Sequence, residues 1–337
     1  MLDLVVQPDL TPGETLAEDR TALAAAGAGT ASLRAWSLAA PAVSLGRYHL
    51  APRGDAASAV RVVRRLSGGR VAAGGPGFVG LTLALPGRSA LAPGRTPVLG
   101  PDQVLNRAVR GVLRALETLG VPVVYPGRDV ITAGGRILAT AAFEEDARGA
   151  LLCETVLAVG SDLGVLAKRL DAVDHDGVVT APVYGPGEAT SLAAVAGASP
   201  SLDALADAVA RATGSLLGLG VRSVARAPIG ADDDAAWVAE RRPRPALDRR
   251  GTIATQLGVV DCRFRVAGNA VAEIVIAGDV IAPSAGMAAL EAALVGCPLE
   301  RDALGRAVTD ALAAPGRFLL GVWPVERLAD AILAGAP

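Results

Sequence analysis

Seven consecutive residues, Arg64-Arg65-Leu66-Ser67-Gly68-Gly69-Arg70, combine the types that bind anions. An arginine offers a planar fork of N–H donors that matches carboxylate or phosphate oxygens. A glycine pair lets the backbone turn with positive φ and lets a ligand lie against bare amides. The stretch follows Val60 to Val63, a largely β-branched approach that reads as a strand. The pattern describes an anion site at a strand end, with a solvated arginine turn as the plain alternative.

Other devices for chemistry are missing from the sequence. There is no phosphate loop of the G-x-x-x-x-G-K-[ST] kind and no G-x-S-x-G nucleophile elbow. With His49 and His175 as the two histidines, there is no histidine metal cluster. Gly75-Pro76-Gly77-Phe78-Val79-Gly80 fits G-x-G-x-x-G formally, but strand-like sequence follows it, so no helix N-terminus faces a pyrophosphate. The three cysteines, Cys153, Cys262 and Cys297, lie far apart without metal spacing, which points to a reduced, cytoplasmic setting. Lys168 is the one lysine of the chain.

The 337 residues, 51% of them hydrophobic, can fill two domains and are not disordered. A net charge of −2 gives no electrostatic case for nucleic acid or an anionic membrane. No apolar run has the length of a bilayer span, and Met1 to Val6 lacks the plan of a signal peptide.

The elements that must position the arginine stretch follow from periodicity and punctuation. Met1 to Val6 reads as a strand. Thr11-Pro12-Gly13-Glu14 is a helix start with a capping-box pattern, running to about Ala26. Ser32 to Leu38 and Ala42 to Arg47 are strands, Asp55 to Ala59 a short helix, and Phe78 to Leu85 an alternating strand. Pro86 to Gly100 is a loop and Pro101 to Leu119 an amphipathic helix. Val121 to Tyr125 is a strand, and Val130 to Thr132 with Arg136 to Ala142 form a hairpin about Gly134-Gly135. Leu151 to Val159 is a strand, with helices from Asp162 to Leu170 and Ser201 to Leu217. Ala231 to Arg250 reads as a connecting segment. Gly251 to Val260, Cys262 to Val266 and Val271 to Ile276 are strands. Met287 to Leu294, Glu300 to Ala313 and Pro324 to Leu333 are helices.

At Arg64 to Gly69 the chain resembles the biotin/lipoate protein ligase superfamily, most closely its lipoate-protein ligase A branch, whose ligand loop reads arginine-arginine-x-serine-glycine-glycine. Ala42 to Tyr48 is similar to the family's strand ending in glycine-arginine-aromatic. Gly127-Arg128-Asp129-Val130 with Gly134 to Ala141 resembles its hairpin, Thr155 to Val159 with Ser161-Asp162-Leu163 the strand and helix start after it, and Thr190-Ser191-Leu192 a short later signature. The tail from Gly251 looks like the family's accessory domain. The resemblance implies an α+β fold: a mixed central β-sheet flanked by helices over residues 1–240, and a small α+β C-terminal domain over 250–337.

It also implies a reaction. A lipoate or octanoate carboxylate attacks ATP, with Mg²⁺, to give an acyl-adenylate, and a lysine of a lipoyl carrier domain (a dehydrogenase E2 or a glycine-cleavage H-type protein) takes the acyl group. By resemblance Arg65 contacts phosphate, while Ser67, Gly68 and Gly69 wrap the acyl-adenylate. Arg70, Val71, Ala72 and Ala73 continue that wall, and Asp129 organises the site. Two departures stand out. The family's catalytic lysine falls at Arg136, which keeps charge but not the compact ammonium. Gly74-Gly75 stands where the family has histidine-aspartate. Arg136 therefore leaves two readings open: an ATP-dependent ligase, or a ligase-fold protein that binds lipoyl or acyl groups without activating them. Cys153 reads as a buried small hydrophobe, Lys168 as a surface residue and His49 as an exposed loop residue. His175, Glu144-Glu145-Asp146 and Asp232-Asp233-Asp234 read as solvated.

Overall fold

The structure is a computed structural model that describes residues 1–52, 60–94, 99–173, 184–185, 187–225, 227–242 and 244–336. The expected helix Asp55 to Ala59 and His175 lie outside the described residues.

The strands in chain order are β1 (Leu2–Leu10), β2 (Ala31–Leu38), β3 (Ala42–Leu45), β4 (Arg61–Arg64), β5 (Ala72–Gly74), β6 (Phe78–Leu85), β7 (Val130–Ala133), β8 (Arg136–Glu145), β9 (Leu151–Ala158), β10 (Val221–Ser223), β11 (Arg249–Ala254), β12 (Val259–Ala267) and β13 (Ala270–Gly278). Seven of them form a mixed sheet in the order β10-β1-β2-β6-β9-β8-β7. β1 runs parallel to β10 and β2, and the remaining pairs are antiparallel. The alternation of Val79, Leu81, Leu83 and Leu85 puts these residues into one core cluster with Val104, Val112 and Leu116 from the helices Pro101–Ala108 and Arg110–Thr118. The helix Pro12–Gly27 covers another part of the sheet. Thr11 caps it through a reciprocal capping box with Glu14.

A small sheet, β4-β3-β5, carries the arginine stretch. β3 lies between β4, its parallel partner, and β5, its antiparallel one. Residues 65–71 must therefore arch over the end of β3, and Gly46 to His49 leave β3 beneath that arch. The antiparallel sheet β11-β12-β13 packs against the helices Ser284–Leu294, Arg301–Leu312 and Arg327–Ala334 around a core of its own, which includes Phe264, Ile276, Leu290 and Leu328. This gives the expected α+β architecture, a mixed sheet flanked by helices with a smaller α+β unit beyond it.

Some sequence expectations need correction. Val121 to Tyr125 is no strand: a single bridge, Val124 to Thr132, is all that pairs it. The expected helix Pro101 to Leu119 is interrupted at Val109. The run Gly251 to Val260 breaks at a turn in which the Thr255 amide donates to Gly258 O at 2.7 Å. Ala231 to Arg250 is more than a connector. It holds the helix Asp234–Ala239, capped by Asp233, and Trp237 Nε1 donates to Arg64 O at 2.9 Å.

Candidate functional site

The arch is stapled by its own arginines. Arg64 and Arg65 are buried, and both turn inward. Arg64 Nη1 donates to Arg47 O at 2.9 Å and His49 O at 2.6 Å, and Nη2 to Val238 O at 2.8 Å. Arg65 Nη1 donates to Ser44 O and Oγ, both at 3.0 Å, and Nη2 to Gly68 O at 3.1 Å and Arg70 O at 2.8 Å. A guanidinium spent in this way fixes a loop, because its rigid fork meets several carbonyls at once. Burial lowers the pKa of Arg65, with Glu154 and other acidic groups opposing.

Two arch amides already have acceptors. Ser67 N–H donates to Glu154 Oε2 and Gly69 N–H to Val280 O, each at 2.7 Å. The second bond ties the arch to the C-terminal unit. Gly68 is required there, since a Cβ would sit 2.1 Å from Val280 O. Around this junction Tyr48 is buried in the C-terminal core, with its hydroxyl donating to Ala282 O at 2.7 Å. His49, expected on an exposed loop, is fully buried, with Nε2 3.0 Å from Asp279 Oδ1. The sequence hid this, because both partners of each contact lie more than 200 positions apart.

Arg70 behaves differently from Arg64 and Arg65. Its Nε and Nη2 donate to the two oxygens of Asp129 at 2.6 and 2.7 Å. Burial pushes the Asp129 carboxyl up and the two bonds from Arg70 pull it back; we hold the pair to be charged, since a guanidinium does not give up its proton in proteins. Beyond Arg70 the wall Val71, Ala72 and Ala73 is buried in an apolar cluster with Phe78, Leu166 and Tyr184, and Ile137 packs against it. Arg136 precedes Ile137 on the hairpin and is exposed, in no ion pair among the described residues. Thus Arg70, Val71 to Ala73, Asp129 and the start of β8 converge on one side of the arch, while Arg65, Ser67, Gly68 and Gly69 serve its internal bonding.

Beneath the arch lies a set of buried charges that sequence reading missed. Asp19 pairs with Arg34 and accepts from Thr82 Oγ1 at 3.1 Å. Glu154 is buried beside it, and burial with the Asp19 charge pushes its carboxyl up to about 7. The small cavity between Asp19, Trp36, Ser44, Arg65 and Glu154 has a volume of about 20 Å³, room for a water molecule. An i, i+15 spacing of Asp19 and Arg34 across a helix and a strand carries no local signal.

Cys153 is buried, and burial pushes its thiol up to about 12, as befits a packing residue rather than a nucleophile. Lys168 is on the surface. Glu144, expected in solvent, is buried. No group of three potential metal-ligating side chains occurs among the described residues. Asp129 has both oxygens on Arg70, so it does not fit as a ligand for Mg²⁺, and the described residues offer no other set that would hold one.

A mixed sheet bearing an arginine-serine-glycine arch and a second, smaller α+β unit defines a fold of the biotin/lipoate ligase type. Residues 11–214 match the lipoyl protein ligase A/B catalytic domain, and the chain belongs to that family. Among solved structures it is similar to P. falciparum LipL1 in complex with lipoate, at 11% identity over 98% of this chain and 99% of that one, with a TM-score of 0.68. It is also similar to the bi-partite lipoate protein ligase of Thermoplasma acidophilum (15% identity, 71% of this chain and 92% of that one, TM-score 0.49). A lipoate-protein ligase A bound with ATP gives 15%, 71%, 92% and 0.47 in the same order. No curated protein sequence matches the chain.

Proposed function

We propose that the chain is a lipoate-protein ligase-type enzyme, built from a ligase-like domain over residues 1–240 and an accessory domain over 250–337. A lipoate or octanoate carboxylate attacks the α-phosphorus of ATP and releases pyrophosphate. The lysine amine of a lipoyl carrier domain, of the E2 or H-protein type, then attacks the acyl carbonyl and releases AMP. The observation that carries this reading is the Arg70–Asp129 fork. It holds a cation at the meeting point of the arch, the hairpin and the apolar wall Val71 to Ala73. The wall takes the acyl chain, Arg70 faces developing negative charge, and Arg136 supplies a second cation from the hairpin. No step is routed through a metal.

Three observations favour a second reading, a ligase-fold protein that holds lipoyl or acyl groups without adenylation. The arch amides of Ser67 and Gly69 are occupied, buried carboxylates lie beneath them, and Arg136 stands in solvent. Lipoate-dependent ATP–pyrophosphate exchange by the purified protein separates the two. Exchange supports the enzyme; saturable lipoate binding with no exchange supports the binder. Arg136→Lys then assigns the cause, since a gain in exchange means that arginine had silenced the site.

A further inference from the structure

One polar row crosses the sheet face that the arch and the helix Pro12–Gly27 cover. Arg34 on β2 lies opposite Thr82 on β6, Thr82 opposite Glu154 on β9, and Glu154 opposite Ala142 on β8. Residues paired in this way point to the same face and touch through their side chains. Asp19 comes down from the helix onto one end of the row, where it meets Arg34 and Thr82. The arch rests on the other end. Ser67 N–H donates to Glu154 Oε2 at 2.7 Å, and a Cβ at Gly69 would stand 2.9 Å from Ala142 Cβ. Glu154 is thus a carboxyl roofed by the arch, in a strand that is buried throughout.

Its surroundings serve it incompletely. Glu154 Oε1 and Ser67 Oγ are both buried without a hydrogen-bond partner. The groups that face Glu154 are Asp19 from the helix, Arg65 and Ser67 from the arch, Glu144 from β8 and Cys153 from its own strand, with Arg34 behind Asp19. Burial first, and the Asp19 charge second, push the carboxyl up to about 7 against the pull of Arg65 and the Ser67 bond. The cavity beside it, about 20 Å³, holds no more than one water. Full hydration of an ionised Glu154 therefore requires the roof to lift.

We propose that Glu154 is a proton-operated latch on the arch, closed when it is neutral and opened by ionisation next to Asp19. In the closed state Oε1 carries the proton and Oε2 accepts from Ser67. Loss of the proton drives residues 66–69 off the sheet, so that water reaches the carboxylate. Opening also releases the Ser67 and Gly69 amides from Glu154 and Val280. The sign follows from linkage. A carboxyl with a higher pKa in the closed state than in the open one favours closure at low pH, and that preference is lost as pH rises through the closed-state value. The use of the latch, freeing arch amides for a ligand, rests on the proposed ligand site; its existence does not.

Amide hydrogen exchange of the full chain without ligand, read by NMR on ¹⁵N-labelled serine, glycine and leucine, tests the latch. With a closed-state value of about 7 and an ordinary 4.5 when open, the opening constant at Ser67 should rise about 10-fold from pH 6 to pH 8, once intrinsic exchange is corrected for. Gly69 should follow it. Glu154→Gln keeps an acceptor for the Ser67 amide and should abolish the rise. Asp19→Asn keeps an acceptor for Arg34, lowers the closed-state value by about one unit, and should cut the rise to about 2-fold. A flat opening constant in the parent overturns the proposal, as does a rise that survives undiminished in either variant. It is equally overturned if Ser67 exchanges no faster than Leu83 at the centre of β6, because the opening is then global unfolding. None of these readouts needs ligase activity, so loss of the ligase reading and loss of the latch are separate results.

Discussion

Removing the carboxylate of Asp129 probes the centre of the proposed site. Asp129 is fully buried and the Arg70 side chain is 13% exposed, so Asp129→Ala leaves a largely desolvated guanidinium with neither of its two short bonds. Breaking a buried pair from one side costs about 3 kcal/mol or more, whereas replacing both partners by apolar groups is close to neutral. Arg70→Met alone should cost a similar amount, because it strands the Asp129 charge. If the two losses were independent they would sum to roughly 6 kcal/mol. The double variant Arg70→Met/Asp129→Leu should instead lie within about 1 kcal/mol of the parent protein. Urea unfolding at neutral pH, followed by tryptophan emission, measures all four corners of this cycle. The folded double variant should also lose lipoate-dependent exchange, if the parent shows it. Either a harmless Asp129→Ala or strictly additive losses would refute the buried fork as described.

Gly68→Ala forces a Cβ to within 2.1 Å of Val280 O and should cost about 2–4 kcal/mol, from overpacking and the lost Gly69 bond; hydrogen exchange at the Gly69 amide should rise sharply. Arg136 is exposed at the start of β8, so in Arg136→Lys the melting temperature should hold even where ATP–pyrophosphate exchange changes. The raised pKa of Glu144 sets a pH dependence. Its folded value of about 7 exceeds the ordinary glutamate value of 4.5, so the folded state keeps the proton longer and stability falls as pH rises through that window. Ser284, Arg47, Glu154 and Tyr48 are the groups that face it. Glu144→Gln should therefore gain on the parent by up to about 3 kcal/mol between pH 5 and pH 8, read from denaturation midpoints. Thr11→Ala removes the capping box and should cost about 1 kcal/mol.

Local grammar was legible wherever one segment determines its own shape. Thr11 and Glu14 announced the helix start, the alternation from Phe78 to Leu85 announced β6 with those bounds, and Gly134-Gly135 announced the hairpin. Motif order placed the arch and assigned the fold. What could not be read was where donors go after folding. Arg64 and Arg65 look like ligand-binding forks in sequence, yet their partners are carbonyls at 44, 47, 49, 68, 70 and 238. The Asp19–Arg34 pair and the His49–Asp279 contact join segments with no shared periodicity. Val121 to Tyr125 had strand composition, but with Tyr125 half-buried and Val124 exposed it found no ladder. The segment Ala231 to Arg250 was polar enough to pass for a connector, although Trp237 anchors it to the arch.

The contact between Gly68 and Val280 has a consequence for how such chains change over evolutionary time. The space that excludes a side chain at position 68 is set by the protein's own backbone, not by a bound molecule. Arg64 and Arg65 are likewise demanded by carbonyls of the same chain. Selection for a folded protein alone is enough to preserve this fingerprint after its chemistry has been lost. The arginine-serine-glycine signature therefore reports on architecture, and the positions free to drift with activity are those in solvent, Arg136 first among them.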